Sequence, residues 1–146
     1  MIDLLNKAIE IAVRAHAGQL DKCGEPNILH PLRLMLSREN ELERICAVLH
    51  DVIEDSDITF NDLRNEGFSE EVLLILDCLT KREGEDYEDF IIRVLKNEIA
   101  CQIKLADIND NTDLNRIKCC TDKDRGRLEK YKKAKEQILH HLFDYS

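Results

Sequence analysis

Glu41-Leu42-Glu43-Arg44-Ile45-Cys46-Ala47-Val48-Leu49-His50-Asp51-Val52-Ile53-Glu54-Asp55 sets the fold class and points to the chemistry. Its apolar middle, residues 45–49, reads as a buried helix running from about Glu41 through Ile53. At the end of that helix stand four groups able to bind a metal or handle protons. On a regular helix His50 and Glu54 lie one turn apart, as do Asp51 and Asp55, so the four occupy two adjacent stripes. Buried charge is costly unless it is paired or bound to a metal. The segment therefore points to metal-assisted hydrolysis.

Helical patterning continues on both sides. Residues 3–17 place Leu4, Leu5, Ala8, Ile11, Ala12 and Ala15 at helical spacing, with Gly18 as the stop. A polar loop over 18–29 leads to Pro31, which suits the first turn of a helix over about 31–37. Thr59 with Asp62 resembles a capping box opening a short helix that Gly67 closes. Ser69-Glu70-Glu71 starts another, with Val72, Leu73, Leu76 and Leu79 facing inward. Tyr87, Phe90, Ile91 and Val94 mark the next, and Ile99, Ile103 and Ala106 the one after. Leu128, Tyr131, Ala134, Ile138 and Leu142 share one face of a last helix over about 124–142. No alternating strand pattern interrupts the series, and only five Gly and two Pro occur in 146 residues. The expectation is an all-α, compact bundle of about seven or eight helices forming a single domain, 1–146.

Composition narrows the function. The formal charge is −9, which argues against duplex nucleic acid as a partner, because phosphate backbones recruit Lys and Arg. A small anionic substrate stays open if a metal and local cations offset the field. No run of about 18 apolar residues is present, so no membrane span is expected. The start, Met1-Ile2-Asp3-Leu4-Leu5-Asn6-Lys7, lacks the regions of a signal peptide, and a cytoplasmic location follows. Six cysteines (Cys23, Cys46, Cys78, Cys101, Cys119 and Cys120) form no CxxC pair and read as reduced thiols.

A metal site in a bundle needs ligands converging from several helices. Three places offer them: His30 before Pro31, the pair His50-Asp51, and Lys104-Leu105-Ala106-Asp107, with Asn111 one turn further on. Two imidazoles and two carboxylates suit Mn²⁺, Fe²⁺ or Zn²⁺. Phosphate-ester hydrolysis needs a nucleophile near neutral pH, neutralised phosphoryl oxygens and a proton acceptor. A bound divalent ion answers the first two needs, and Glu54 or Asp55 the third. Repulsion between these adjacent carboxylates is expected to raise one of their pKa values.

In order along the chain come His16-Ala17-Gly18-Gln19, Gly24-Glu25-Pro26, His30-Pro31-Leu32, Leu49-His50-Asp51-Val52-Ile53-Glu54-Asp55, Leu79-Thr80-Lys81 and Lys104-Leu105-Ala106-Asp107. This ordered set resembles the HD-domain metal-dependent phosphohydrolases. Within them it is similar to the hydrolase domain of the RelA/SpoT-type alarmone (ppGpp) enzymes, over roughly residues 5 to 115. The resemblance implies Mn²⁺ held by His30, His50, Asp51 and Asp107. It implies Glu54 and Asp55 as the acidic pair on the attacking water, and Asn111 and Lys22 near the nucleotide. The implied reaction releases pyrophosphate from the 3′ position of a small phosphorylated nucleotide such as (p)ppGpp. Alternatives are a nucleoside monophosphate phosphatase and a catalytically silent nucleotide sensor.

Departures from the pattern concern the nucleotide pocket. Asp21-Lys22 stands where the alarmone hydrolases carry Arg-Lys, and Asn27 where they carry Tyr. Asp107-Ile108-Asn109-Asp110-Asn111 replaces Asp-Arg/Lys-Leu-x-Asn. Small stand-alone HD proteins with a Gln-x-Asp-Lys start and a Lys-Leu-Ala-Asp-x-x-Asp-Asn end are similar in these places. Over these 146 residues no synthetase domain is expected.

Other features read blandly. His16 is a packing or capping histidine, His140 and His141 point apart on a solvated helix, and Tyr87 and Phe90 belong to the core. Lys130, Lys132, Lys133 and Lys135 form a solvated face balancing Glu129 and Glu136. Leu139, Leu142 and Phe143 hint at a partner surface, with a homo-oligomer as one outcome.

Overall fold

The computed structural model describes residues 3–113 and 122–143, so Cys119 and Cys120 lie outside the described residues. Nine helical segments occur among them: α1 (Leu4–Ala15), α2 (Leu29–Leu36), α3 (Glu41–Leu49), α4 (Val52–Asp55), α5 (Phe60–Asn65), α6 (Glu70–Leu79), α7 (Tyr87–Val94), α8 (Glu98–Asn111) and α9 (Asp122–Phe143). The sheet content among the described residues is one isolated bridge, Leu20 to Pro26. The all-α expectation holds, with α4 as a single extra turn.

Capping residues set most boundaries. The side chains of Asp3, Asn40, Thr59, Ser69 and Asn97 each accept a backbone N–H in the first turn of the following helix, satisfying a donor the helix itself leaves unpaired. Thr59 and Asp62 complete a capping box. Gly18 (φ +79°) and Gly67 (φ +104°) turn the chain out of α1 and α5 in the left-handed region that a side chain disfavours.

The core is built around α3. Ile45, Cys46, Ala47, Val48 and Leu49 are all buried, and α3 packs against α1, α2, α6 and α8. The second half of α3, covered on every side, is accordingly apolar all round. From α8, Ala100, Cys101, Ile103 and Ile108 close the core, and α9 lies across α8 with Ala134 and Ile138 buried. Burial pushes the Cys46 thiol up to about 12 and the Cys101 thiol to about 11, so both act as small apolar side chains. Leu142 packs against the core, whereas Phe143 stands exposed. No helix among the described residues is long and apolar enough to cross a membrane.

One expected helix divides. The sequence pattern predicts continuity from Glu41 to Ile53, but α3 stops at Leu49 and α4 starts at Val52. At the junction the ladder tightens: His50 N–H bonds the Ala47 carbonyl, three residues back, and the His50 Nδ1–H donates to the same oxygen at 2.7 Å. Asp51 adopts φ −103°, ψ −1°, and the regular ladder resumes with Asp55 N–H on the Asp51 carbonyl. Hydrophobic periodicity does not register this break, because apolar residues continue through it. The second helix likewise starts earlier than predicted, at Leu29, which brings His30 into its first turn with Pro31 behind it.

Candidate metal centre

Consecutive residues of a regular helix do not face each other. At the α3–α4 break they do: His50 Nε2 lies 3.0 Å from Asp51 Oδ2. From α2, His30 arrives with its ring centroid 5.2 Å from that of His50. From α8, Asp107 Oδ1 lies 2.7 Å from His30 Nε2 and 3.4 Å from His50 Nε2. One ligand atom each from His30, His50 and Asp107, all three buried, falls within a 4.8 Å cluster. Asp51 borders it, its Oδ2 3.9 Å from His30 Nε2.

The hydrogen bonds of both imidazoles leave Nε2 facing the cluster. With its Nδ1–H committed to the Ala47 carbonyl, His50 turns Nε2 inward, where that atom is buried without a well-formed hydrogen bond. His30 Nδ1–H donates to Asp110 Oδ2 at 2.5 Å, again directing Nε2 to the cluster. A metal ligand held through its other ring nitrogen is the usual arrangement at such centres. An orphaned imidazole nitrogen beside a second imidazole and two carboxylates therefore fits a divalent cation.

Charge is balanced tightly at this point. Burial opposes the charge on Asp107, yet Lys104 first, then His30 and His50, hold its carboxyl well below the usual range. Lys104 Nζ donates to Asp107 Oδ2 at 2.7 Å, and Asn111 Nδ2 donates to Asp107 Oδ1 at 3.0 Å. Burial likewise opposes the charge on both imidazoles, but Asp51 and Asp107 raise His50, and Asp107 and Asp110 raise His30. A cation must displace the protons these rings hold. Raised folded values stabilise the metal-free fold fully below the unfolded pKa of 6.5, and that contribution fades as pH climbs through them. The Tm of metal-free protein is thus expected to fall as pH rises above 6.5, and saturating Mn²⁺ to suppress the fall. Calorimetric titration in buffers of different ionisation enthalpy should register proton release on binding.

Glu54 and Asp55 flank the centre on α4, exposed to solvent. Although exposed on one side, both carboxyls are raised, chiefly by desolvation against the protein behind them, with the Asp51 charge adding to each. Mutual repulsion, expected from adjacency, ranks last among the causes at Glu54. The Lys81 N–H donates to Glu54 Oε1, and Arg93 holds that turn in place by donating to the Thr80 carbonyl at 2.7 Å and pairing with Glu85. Gln19 Nε2 donates to the Asp55 carbonyl at 2.9 Å, while Gln19 Oε1 meets His16 Nδ1 and accepts from Asn27 Nδ2. His16 is therefore a buried packing histidine that fixes the chain behind α4.

Lys22 is exposed on the α1–α2 loop. Asp21 beside it is a scaffold residue: its Oδ1 accepts from the N–H groups of Cys23 and Glu25. Two features escaped the sequence pattern. Arg33 clamps Asp110 through Nε and Nη2 at 2.8 and 2.9 Å, a pairing across 77 residues with no local signature. Lys130 is exposed, as its place on a solvated face predicts, and its Nζ also lies 4.3 Å from the Tyr87 ring centroid. Burial first, then the charges of Arg127, Lys104 and Lys81, lower its pKa. Of its companions, Lys133 reaches Glu88 on α7 at 3.8 Å. The α9 helix thus brings the Lys130 charge near that of Lys104.

No family model matches the chain. It is 32% identical over 119 residues to a guanosine-3′,5′-bis(diphosphate) 3′-pyrophosphohydrolase of Aquifex aeolicus, covering 73% of the chain and 17% of that relative. The corresponding protein of Vibrio cholerae is 31% identical over 125 residues, 75% of the chain and 18% of the relative. A GTP pyrophosphokinase of Myxococcus xanthus is 30% identical over 128 residues, 75% of the chain and 17% of the relative. The chain thus spans less than a fifth of the length of these curated relatives. A solved structure described as a metazoan ortholog of SpoT that hydrolyses ppGpp superposes with a TM-score of 0.74, over 95% of the chain and 86% of that structure. At 20% identity, that likeness concerns the fold.

Proposed function

Since the chain is a RelA/SpoT-like domain with the HD-type all-α fold, we propose that it is a metal-dependent phosphohydrolase that removes pyrophosphate from the 3′ position of a nucleotide such as (p)ppGpp. The observation that carries this reading is the convergence of His30, His50 and Asp107, each imidazole fixed through Nδ1. These three, with Asp51 from the α3–α4 break, would hold the ion, Mn²⁺ in our reading. Such an ion neutralises phosphoryl oxygens and lowers the pKa of water towards neutrality.

The remaining roles belong to side chains. Glu54, pinned through one oxygen by the Lys81 N–H and with its carboxyl raised by desolvation, takes the proton from the attacking water. Asp55 orients that water. Water adds to phosphorus as the bond to the 3′ oxygen breaks, and a proton ends on that oxygen, giving pyrophosphate and the nucleoside 5′-diphosphate or 5′-triphosphate. Lys104 keeps Asp107 ionised, and Lys130 with Arg127 and Lys81 supplies positive potential for the phosphates in a chain of net charge −9. Asn111, already hydrogen-bonded to Asp107, and Lys22 contact the nucleotide. The chain acts as a single domain in the cytosol, where reduced thiols persist.

The test is a product panel under Mn²⁺. Pyrophosphate and GDP from ppGpp, with nucleoside monophosphates left intact, is the expected result. Orthophosphate released from nucleoside monophosphates, without turnover of ppGpp, would overturn the substrate assignment and favour the monophosphatase.

A further inference from the structure

We infer that Asp110 and Arg33 form an outer brace of the metal centre, with Asp110 the positioning residue that holds His30 as a ligand and Arg33 the group that fixes Asp110. The inference rests on the metal reading above and adds two residues to it. Asp110 lies on α8 one turn from Asp107, so a single helix presents one carboxylate to each nitrogen of the same imidazole. Its Oδ2 accepts the His30 Nδ1–H at 2.5 Å, and His30 Nε2 then faces Asp107 Oδ1 at 2.7 Å. Asp110 is nearly buried, its side chain 12% exposed, and both its oxygens are engaged by the Arg33 fork.

Geometry explains the pairing. A carboxylate behind a ligating histidine fixes the ring's tautomer and rotation and raises its donor strength. Left alone, such a carboxylate would swing on its χ torsions. Arg33 reaches it from α2, one turn beyond His30, with a planar fork that matches a carboxylate in two places. Ligand, brace and clamp therefore tie α2 to α8 at the point where both meet the centre. The arrangement also accounts for an acid in Asp107-Ile108-Asn109-Asp110-Asn111, which the hydrolytic roles leave unused.

Mn²⁺ affinity decides the matter, measured by electron paramagnetic resonance on wild type, Asp110→Asn, Arg33→Gln and the double variant, with the Tm of each metal-free form. Asp110→Asn keeps the shape and removes the charge; it is expected to weaken Mn²⁺ binding about 10- to 100-fold. Arg33→Gln, at a partly exposed site, should weaken binding less, and the double variant should match Asp110→Asn because Arg33 acts through Asp110. A merely structural role would lower the metal-free Tm while leaving the affinity of the folded protein unchanged, and that result overturns the inference. If Asp110→Asn does not fold, unchanged affinity in Arg33→Gln overturns it equally. Wild type that binds no Mn²⁺ would instead refute the metal reading itself.

Discussion

Asp107→Ala is expected to unfold far more easily than wild type and to bind no Mn²⁺. The variant leaves Lys104, only 12% exposed at its side chain, as a buried ammonium without its partner. Breaking a buried pair from one side costs about 3–5 kcal/mol, which is a large share of a small domain's stability. The imidazoles lose their carboxylate too, but they can release their protons; the Lys104 ammonium faces a much steeper cost. Adding Lys104→Met should therefore recover most of the lost Tm, because a flexible apolar side chain suits the faces of Tyr87 and Phe90 that the ammonium now approaches at 5.8 and 5.1 Å. Mn²⁺ binding should stay absent in the double variant. Recovery of binding together with stability would show that Asp107 is a structural acid and not a ligand.

Glu54→Gln is expected to separate chemistry from metal binding. Glutamine keeps an oxygen for the Lys81 N–H and leaves His30, His50, Asp51 and Asp107 in place, so Mn²⁺ affinity should hold. Loss of the proton acceptor should lower kcat on the order of 10²- to 10⁴-fold. The acidic limb of the pH–rate profile should disappear with it, since the raised Glu54 carboxyl must be ionised to act. Unchanged kcat would transfer that role to Asp55.

The legible part of this molecule is local. The Thr59–Asp62 box, the Ser69 cap and the Gly67 stop depend on residues a few positions apart, and the structure has them where the pattern places them. The groups that meet at the centre, His30, His50 and Asp107, stood out because imidazoles and carboxylates on apolar helix faces are expensive without a purpose. What stayed hidden depends on packing. The α3–α4 break follows from the His50 ring bonding its own helix's Ala47 carbonyl, and no apolar spacing encodes that. The Arg33–Asp110 pair joins residues 77 positions apart. Lys130 reads as one lysine among several until α9 is laid across α8, where its neighbours become Tyr87, Lys104 and Lys81. Glu54 was expected to be raised by Asp55, but desolvation against the fold is the larger cause.

Whether these converging side chains hold the ion that drives hydrolysis is decided by adding Mn²⁺ back to metal-free protein. Occupancy and pyrophosphate release from ppGpp would be followed in the same samples. No release is expected without metal, and the rate should rise in proportion to occupancy, saturating when one ion is bound. Steady release from metal-free protein, or full occupancy with no release, would contradict that role of the ion.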